Sequence, residues 1–539
     1  MKKKKLIIIP ARGGSKGIPR KNLRALNGKP LIYYSIINAL SIDNADCYVS
    51  SNDDEILLIA SKFGSKTLKR SNSISGDKTT LDPVVFNAYN EICKIEGVNY
   101  DLVITLQPTS PLLKSISIIK AIQLFNQSKL DTIISGVYDS HLTWIKEEEN
   151  FRPNYKKRVN RQGLPQVYKE TGGFVITKSN FVQENSRFGE HIGIFPLSKK
   201  EAIDIDDFDD WNLCEYYLKR KTILFVVAGD NIIGMGHVYN TLSIANEILE
   251  HRIIFLATKG SELALDKIME SNYEAHLQKE PLIIDDIIKL NPDIVINDIL
   301  DTNEEYVNTL KTKQYKIINF EDLGSGAKKA DLVVNAMYPE NKTALNHYYG
   351  AKYFILRDEF LYTKQKTISK EVKTILISFG GVDPNNFTYR VLSLISEYCN
   401  SNKIRLTVIM GLGYTNKNSL EEKFQNIEIK SNISNISDEM YKADLVFTSA
   451  GRTTFEVASI GTPCIVLCQN KRETTHFFAS EKNGFYNLGL AENLSDNLIL
   501  KAFKECLDVD LRKRMHEKMV KNQLKKGKSR VIKLIKSTI

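Results

Sequence analysis

A glycine-broken, cation-rich loop follows the first aliphatic run of this 539-residue chain, in LIIIPARGGSKGIPRKN, Leu6 to Asn22. Backbone amides around Gly13, Gly14 and Ser15 suit phosphate oxygens, while Arg12, Lys16 and Lys21 suit the charge that builds as phosphorus is attacked. The spacing is neither that of a Walker A loop nor that of a dinucleotide glycine turn. In AIDIDDFDDW, Asp204 and Asp206 alternate, and on an extended strand alternation puts both carboxylates on one face, as a hard cation requires. A second glycine turn, GDNIIGMGHVYN, places Gly236 and His237 at the amino end of an expected helix, where partial positive charge favours an anion. A third, TSAGRTTFEVASIGTP, opens a helix at Thr453 and Thr454. Its Glu456 can accept ribose hydroxyls or, equally on spacing, serve the helix dipole.

These loops need strands that end beside them. Aliphatic runs recur with helical stretches between: KLIIIP, DCYVSS, DLVITLQ and DTIISGV first, then TILFVVAGD, RIIFLAT, DIVIND, YKIINF, TILISFGG, DLVFTSAG and PCIVLC. The alternation predicts an α/β fold with parallel sheets covered by helices. A fresh strand and glycine turn after Lys221 place a boundary there, and the polar stretch FLYTKQKTISKEV places another near 365. The expected domains are 1–220, 221–365 and 366–539, the last carrying the C-terminal helices.

A net charge of +10 raises nucleic acid as a partner, but the lysines are scattered and no aromatic run interleaves with them. The lysine-rich C-terminal stretch reads as a packed helix with a wet face. No segment reaches membrane-spanning length, and MKKKKLIIIP is too short for a signal peptide. Seven dispersed cysteines read as reduced core thiols. Cys464 and Cys468 share a strand face without a second ligand pair for zinc. The expectation is a cytoplasmic protein that binds no nucleic acid and has no membrane span.

Residues 1–220 resemble the acylneuraminate cytidylyltransferases, which activate sialic acid and related nine-carbon keto-sugar acids. The resemblance rests on IIIPARGGSKGIPRKN, YVSSNDDEI, LKRSNSISGDKTT, LQPTSPL, RQGLPQVYKETGG and AIDIDDFDDW, in that order. It implies a nucleotidyltransferase Rossmann-like sheet in which Arg12 and Lys21 grip the CTP phosphates and stabilise the transition state. Gly14, Ser15, Lys16 and Asn22 would line the loop and Arg70 contact the base. Gln107 and Arg161 would face the sugar acid, Asp204 and Asp206 hold magnesium, and the domain pair as a homodimer. The implied reaction is attack of an anomeric hydroxyl on the α-phosphorus of CTP, with release of pyrophosphate.

Residues 222 to about 535 resemble two-domain GT-B enzymes, most closely the UDP-sugar hydrolase of pseudaminic acid biosynthesis, through IGMGHV, SFGGVDP and TSAGRTTFEVASIGTP. That resemblance implies a UDP-sugar substrate, His237 as base, and Gly236, Gly451, Thr453, Thr454 and Glu456 around UDP. Where the family has an arginine three residues beyond the histidine, this chain has Asn240. The same fold also supports a glycosyltransferase or a non-catalytic nucleotide-sugar-binding module. His476 is an additional candidate in this half.

Overall fold

Strand Lys5–Pro10 forms where Leu6, Ile7, Ile8 and Ile9 leave no polar side chain to wet either face, and all four are fully buried. Such a strand belongs in the middle of a sheet. Ile7 and Ile9 enter one core with Ile32, Ile36 and Ile118, while Leu6 and Ile8 enter another with Val85, Ala88 and Ile92. The strand pairs in parallel with Ala45–Ser51 and Leu102–Leu106, Ile7 lying opposite both Cys47 and Ile104.

The computed structural model describes residues 4–539 except 16, 77, 231–233, 340–344, 382, 412, 413, 415, 416, 425, 432, 434 and 491–493. The chain divides into two compact units, Met1–Arg220 and Lys221–Ile539. In the first, the seven-stranded sheet runs Ile192–Pro196, Thr132–Tyr138, Tyr168–Lys178, Leu102–Leu106, Lys5–Pro10, Ala45–Ser51, Lys66–Lys69. Tyr168–Lys178 is antiparallel to both neighbours. This antiparallel strand is an addition to the expected parallel ones: Thr171, Gly172 and Gly173 break its aliphatic signal, and its register shifts between Glu170 and Val175. A small antiparallel pair, Trp144–Glu147 with Asn150–Pro153, stands outside the main sheet.

The second unit contains two sheets whose strand pairs are all parallel. One runs Glu274–Leu277, Arg252–Ala257, Thr222–Val227, Ile294–Asp298, Lys316–Phe320, Leu332–Asn335, His347–Tyr349. The other runs Ile427–Ser431, Arg405–Met410, Thr374–Ile377, Leu445–Thr448, Cys464–Cys468, Phe485–Leu490. Two Rossmann-like lobes in sequence make this unit GT-B-like.

The final helix, Gly527–Thr538, departs from the expected 366–539 lobe. Val531 and Ile535 pack into the core of the preceding lobe, with Ile223, Phe225 and Ile294. A Cβ on Gly527 would stand 2.0 Å from the Phe354 carbonyl oxygen, so this return depends on glycine. The sequence pattern showed an amphipathic helix but not which sheet it covers. Among the described residues, no helix is long and apolar enough to cross a membrane.

Candidate functional site

In the first unit, Lys5–Pro10 is flanked by strands whose connections leave in opposite directions, so its carboxyl end opens a crevice of the type where α/β sheets bind ligands. Arg12 through Asn22 leave from that end. Asn52 Oδ1 accepts from Gly13 N at 3.2 Å, and a Cβ on Gly13 would stand 2.6 Å from Asp53 Oδ2. A Cβ on Gly17 would stand 2.2 Å from the Asp206 carbonyl oxygen. The Gly17 approach fastens the loop to the acidic segment, and the Gly13 contacts fasten it to the turn after strand Ala45–Ser51.

Lys21 completes that junction, donating to the Ile205 carbonyl at 2.6 Å and lying 4.0 Å from Asp206 Oδ1. Arg70 is buried and donates to Ser75 Oγ at 3.0 Å, and burial together with the neighbouring Arg12 charge lowers its pKa. Arg12 and Arg70 therefore share one electrostatic neighbourhood, which an anion would relieve. Gly14 and Ser15 lie in the loop with no element of their own, and Lys16 lies outside the described residues. Asn22 braces the loop, its buried amide donating to the Arg12 carbonyl at 3.0 Å.

The strand expected for Asp204 and Asp206 is absent. Residues 203–205 run between elements, Ile205 N donating to the Thr109 carbonyl at 2.8 Å. Helix Phe208–Lys219 starts directly after them, its first turn closed by an Asp207–Asp210 capping box. Three of the clustered acids thus serve the helix start: Asp207, Asp209 and Asp210.

Asp204 and Asp206 are left, and they differ. Asp206 is exposed, whereas Asp204 Oδ1 is buried without a well-formed hydrogen bond, and burial raises its pKa by more than the neighbouring Thr109 hydroxyl lowers it. A carboxylate stranded in this way fits a cation. Among the described residues no cluster of three or more metal-binding side chains exists. Two carboxylates completed by phosphate oxygens and water is a mode that suits magnesium.

Gln107 follows strand Leu102–Leu106 at the same sheet end, its carbonyl accepting from Ser35 Oγ at 3.1 Å. Arg161 is on a separate one-turn helix, Arg161–Gly163, with its guanidinium 5.9 Å from the Tyr138 ring centre. Nothing joins it to Gln107 among the described hydrogen bonds.

The second unit holds a cavity of 530 Å³ whose lining includes Gly236, His237, Glu321, Gly451, Arg452 and Glu456. Helix Gly236–Ala245 presents His237, and strand Ile294–Asp298 ends on a carboxylate that is 1% exposed. Asp298 Oδ1 meets His237 Nδ1 at 2.5 Å, and Asp298 Oδ2 accepts from Asn240 Nδ2 at 2.7 Å. With Nδ1 so engaged, Nε2 is the nitrogen available as a base.

Opposite this pair, helix Thr453–Ile460 begins at the cavity. Gly451 and Thr453 line it, while Thr454 is not among the lining residues and its buried hydroxyl donates to the Gly451 carbonyl at 2.8 Å, closing its own first turn. Gly236 gains a different explanation, since a Cβ there would stand 2.7 Å from Arg452 Cδ. Its missing side chain admits Arg452. Glu456 lines the cavity with Oε1 already accepting from Arg357 Nε at 2.8 Å. His476 also lines it, Nδ1 held by the Ala450 carbonyl at 2.8 Å, and burial lowers its pKa.

Sequence reasoning missed Asp298, Glu321 and Arg452. Asp298 had a usable signal, a carboxylate closing the buried run DIVIND. Arg452 lay inside a quoted motif with no role given. Glu321 carried none: its pKa rises to about 7 through burial, with the Asp298 charge adding and Arg452 opposing, and its oxygens accept from Ala336 N at 3.0 Å and Met337 N at 3.3 Å.

Fold and site together define an α/β nucleotidyltransferase-type unit followed by a GT-B-like unit of two Rossmann-like lobes. A cytidylyltransferase family model matches residues 6–233. The pseudaminic acid cytidylyltransferase of Campylobacter jejuni is 37% identical over 227 residues, a match spanning 40% of this chain and 97% of that protein. The chain belongs to the cytidylyltransferase family. An uncharacterized protein of Methanocaldococcus jannaschii is 35% identical over 275 residues, spanning 46% of this chain and 56% of the relative, so the chain covers little more than half of that protein. Among solved structures, the glycotransferase of kitacinnamycin is 14% identical with a TM-score of 0.42, the match covering 59% of this chain and 99% of that one. None of these is described as the UDP-sugar hydrolase expected for the second unit.

Proposed function

We propose that residues 1–220 transfer CMP from CTP to a nine-carbon keto-sugar acid of the pseudaminic or sialic type, releasing pyrophosphate. The observation that carries this reading is the junction of the loop with the acidic segment: Gly17 against the Asp206 carbonyl and Lys21 reaching Ile205 and Asp206. One loop thereby offers amides and cations to a triphosphate beside two carboxylates. Asp204 and Asp206 would hold magnesium, which when bound neutralises phosphate charge and orients the leaving group. Arg12 and Lys21 would receive the charge developing on the transferred phosphorus, Arg70 would contact the base and Gln107 the sugar acid. No covalent intermediate is needed.

The reading is tested by pyrophosphate release with CTP and each of sialic, legionaminic and pseudaminic acids. Lys21→Ala and Arg12→Ala should abolish release with all three. Near wild-type rates in either variant would remove the assignment. By the same family resemblance the protein is cytoplasmic and pairs through the first unit, a reading to which Trp144, 53% exposed, and Phe151, 65% exposed, lend an uncovered apolar surface.

For the second unit, the reading we favour is glycosyl transfer from a UDP-sugar. His237 would take the acceptor proton on Nε2 while Asp298 steadies the imidazolium, and attack opposite the departing UDP inverts the anomeric carbon. Gly451, Thr453 and the start of helix Thr453–Ile460 would seat the diphosphate. Release of UDP only when a sugar acceptor is added supports transfer. Release at the same rate in water alone would return the site to hydrolysis.

A further inference from the structure

Arg452 belongs to the lobe proposed to seat the nucleotide, yet its guanidinium is spent on the other lobe. Nη2 donates to the Ile355 carbonyl at 3.0 Å and to Asn240 Oδ1 at 3.3 Å, and the group lies 4.5 Å from the Phe354 ring centre. Its stem passes over Gly236, where any side chain would block it. Asp298, Glu321 and Glu456 supply the opposing charge, and Arg357 adds a like one.

The hydrogen bonds form one directional series. A guanidinium has donors only, so it forces Asn240 to present Oδ1 to it and therefore NH₂ to the opposite side. That NH₂ donates to Asp298 Oδ2 at 2.7 Å, leaving Oδ1 to accept from His237 Nδ1 at 2.5 Å. Asp298, an acceptor only, asks the same orientation of Asn240, so without Arg452 the NH₂ still faces Asp298, but the 3% exposed Asn240 loses the described donor to its Oδ1. A buried amide oxygen left without a donor lets the side chain shift, and its hold on Asp298 Oδ2, and through it on the base, loosens.

Resting on the proposed nucleotide-sugar reading of this cavity, we propose that Arg452 is a positioning residue that couples the nucleotide-seating helix to the His237 base through Asn240 and Asp298. It lies between Gly451 and Thr453, so movement of that helix start on nucleotide binding is felt at Asn240. It also fills the neighbourhood of Asn240 with a cation supplied from the other lobe.

The test uses the full chain with Arg452→Met, Asn240→Leu and the double variant. Each single change should lower the rate of UDP release about 10- to 100-fold, and the double should match the worse single within about twofold, because both cut one series. UDP affinity, read by calorimetry, should shift less than about threefold in each. Proton NMR should show the His237 Nδ1–H far downfield in the wild type, as for a short hydrogen bond to Asp298, and less so in the variants. Additive rate losses, or an unchanged Nδ1–H shift in both single variants, would overturn the coupling. Arg452→Lys, which keeps charge and bulk, is the second variant should Arg452→Met melt early; it should retain more activity than Asn240→Leu, and equal loss with an unchanged Nδ1–H shift counts against the proposal. If the wild type releases UDP from no donor, the nucleotide-sugar reading fails while the NMR comparison still judges the hydrogen-bond series.

Discussion

Asp298 Oδ1 lies 2.5 Å from His237 Nδ1, with the carboxylate almost wholly buried and the imidazole opening on the cavity. A carboxylate there can only accept, which fixes the proton on Nδ1 and leaves Nε2 basic. Asp298→Asn would offer an NH₂ in its place and favour the wrong tautomer. Both Asp298→Asn and His237→Asn should slow UDP release about 10²- to 10⁴-fold, the span of a lost general base, with UDP binding retained. Parallel loss of UDP binding and rate would show that the pair holds the fold instead.

Asp204 is a cost to the unliganded first unit, because its buried Oδ1 lacks a well-formed hydrogen bond and burial raises its pKa against the weaker pull of the Thr109 hydroxyl. Asp204→Asn should therefore raise the melting temperature of the protein without magnesium, by removing a charge stranded in a poor environment. It should also remove the stabilisation that CTP with magnesium gives the wild type. A variant that melts lower than wild type without ligands, yet responds normally to CTP and magnesium, would detach Asp204 from the metal.

The residues also show what a sequence exposes. Leu6 to Ile9 declare a central strand because a run without polar breaks has only one stable setting, buried on both faces. The loop after it is legible because glycines and cations together serve few purposes. Strand Tyr168–Lys178 was hidden, since Thr171-Gly172-Gly173 interrupts its apolar pattern, and a Cβ on Gly172 would stand 2.8 Å from Asp204 Oδ2, a constraint from 32 residues downstream. Asp298 and Arg452 are 154 positions apart, and only the meeting of two lobes through Asn240 relates them. The acids of DIDDFDD could not be divided by spacing alone between helix capping and a ligand, because both uses favour clustered carboxylates.

Glu321 gives the second unit a pH signature. Its pKa rises from 4.5 to about 7, chiefly through burial. Below 4.5 the group is protonated in folded and unfolded chains alike and contributes nothing. Between 4.5 and 7 the unfolded chain ionises first, so stability falls through that window by about 3 kcal/mol and then levels off. Glu321→Gln should melt close to wild type near pH 4.5 and clearly above it at pH 8. An equal gain at both pH values would assign the effect to packing rather than ionisation.

Gly236→Ala tests why glycine starts helix Gly236–Ala245. The residue is helical there, so backbone freedom is not the reason, and alanine is intrinsically favoured over glycine in a helix by about 1 kcal/mol. On propensity alone the change should stabilise. The added methyl, however, would stand 2.7 Å from Arg452 Cδ, closer than real contacts allow, so the arginine stem must move and draw its guanidinium off Asn240 and the Ile355 carbonyl. The expected result is a melting temperature lowered or unchanged rather than raised, and a rate loss of the same size as Arg452→Met with UDP affinity kept. A stabilised variant of normal rate would mean that Arg452 can leave its place without consequence, and would count against its role in setting the base.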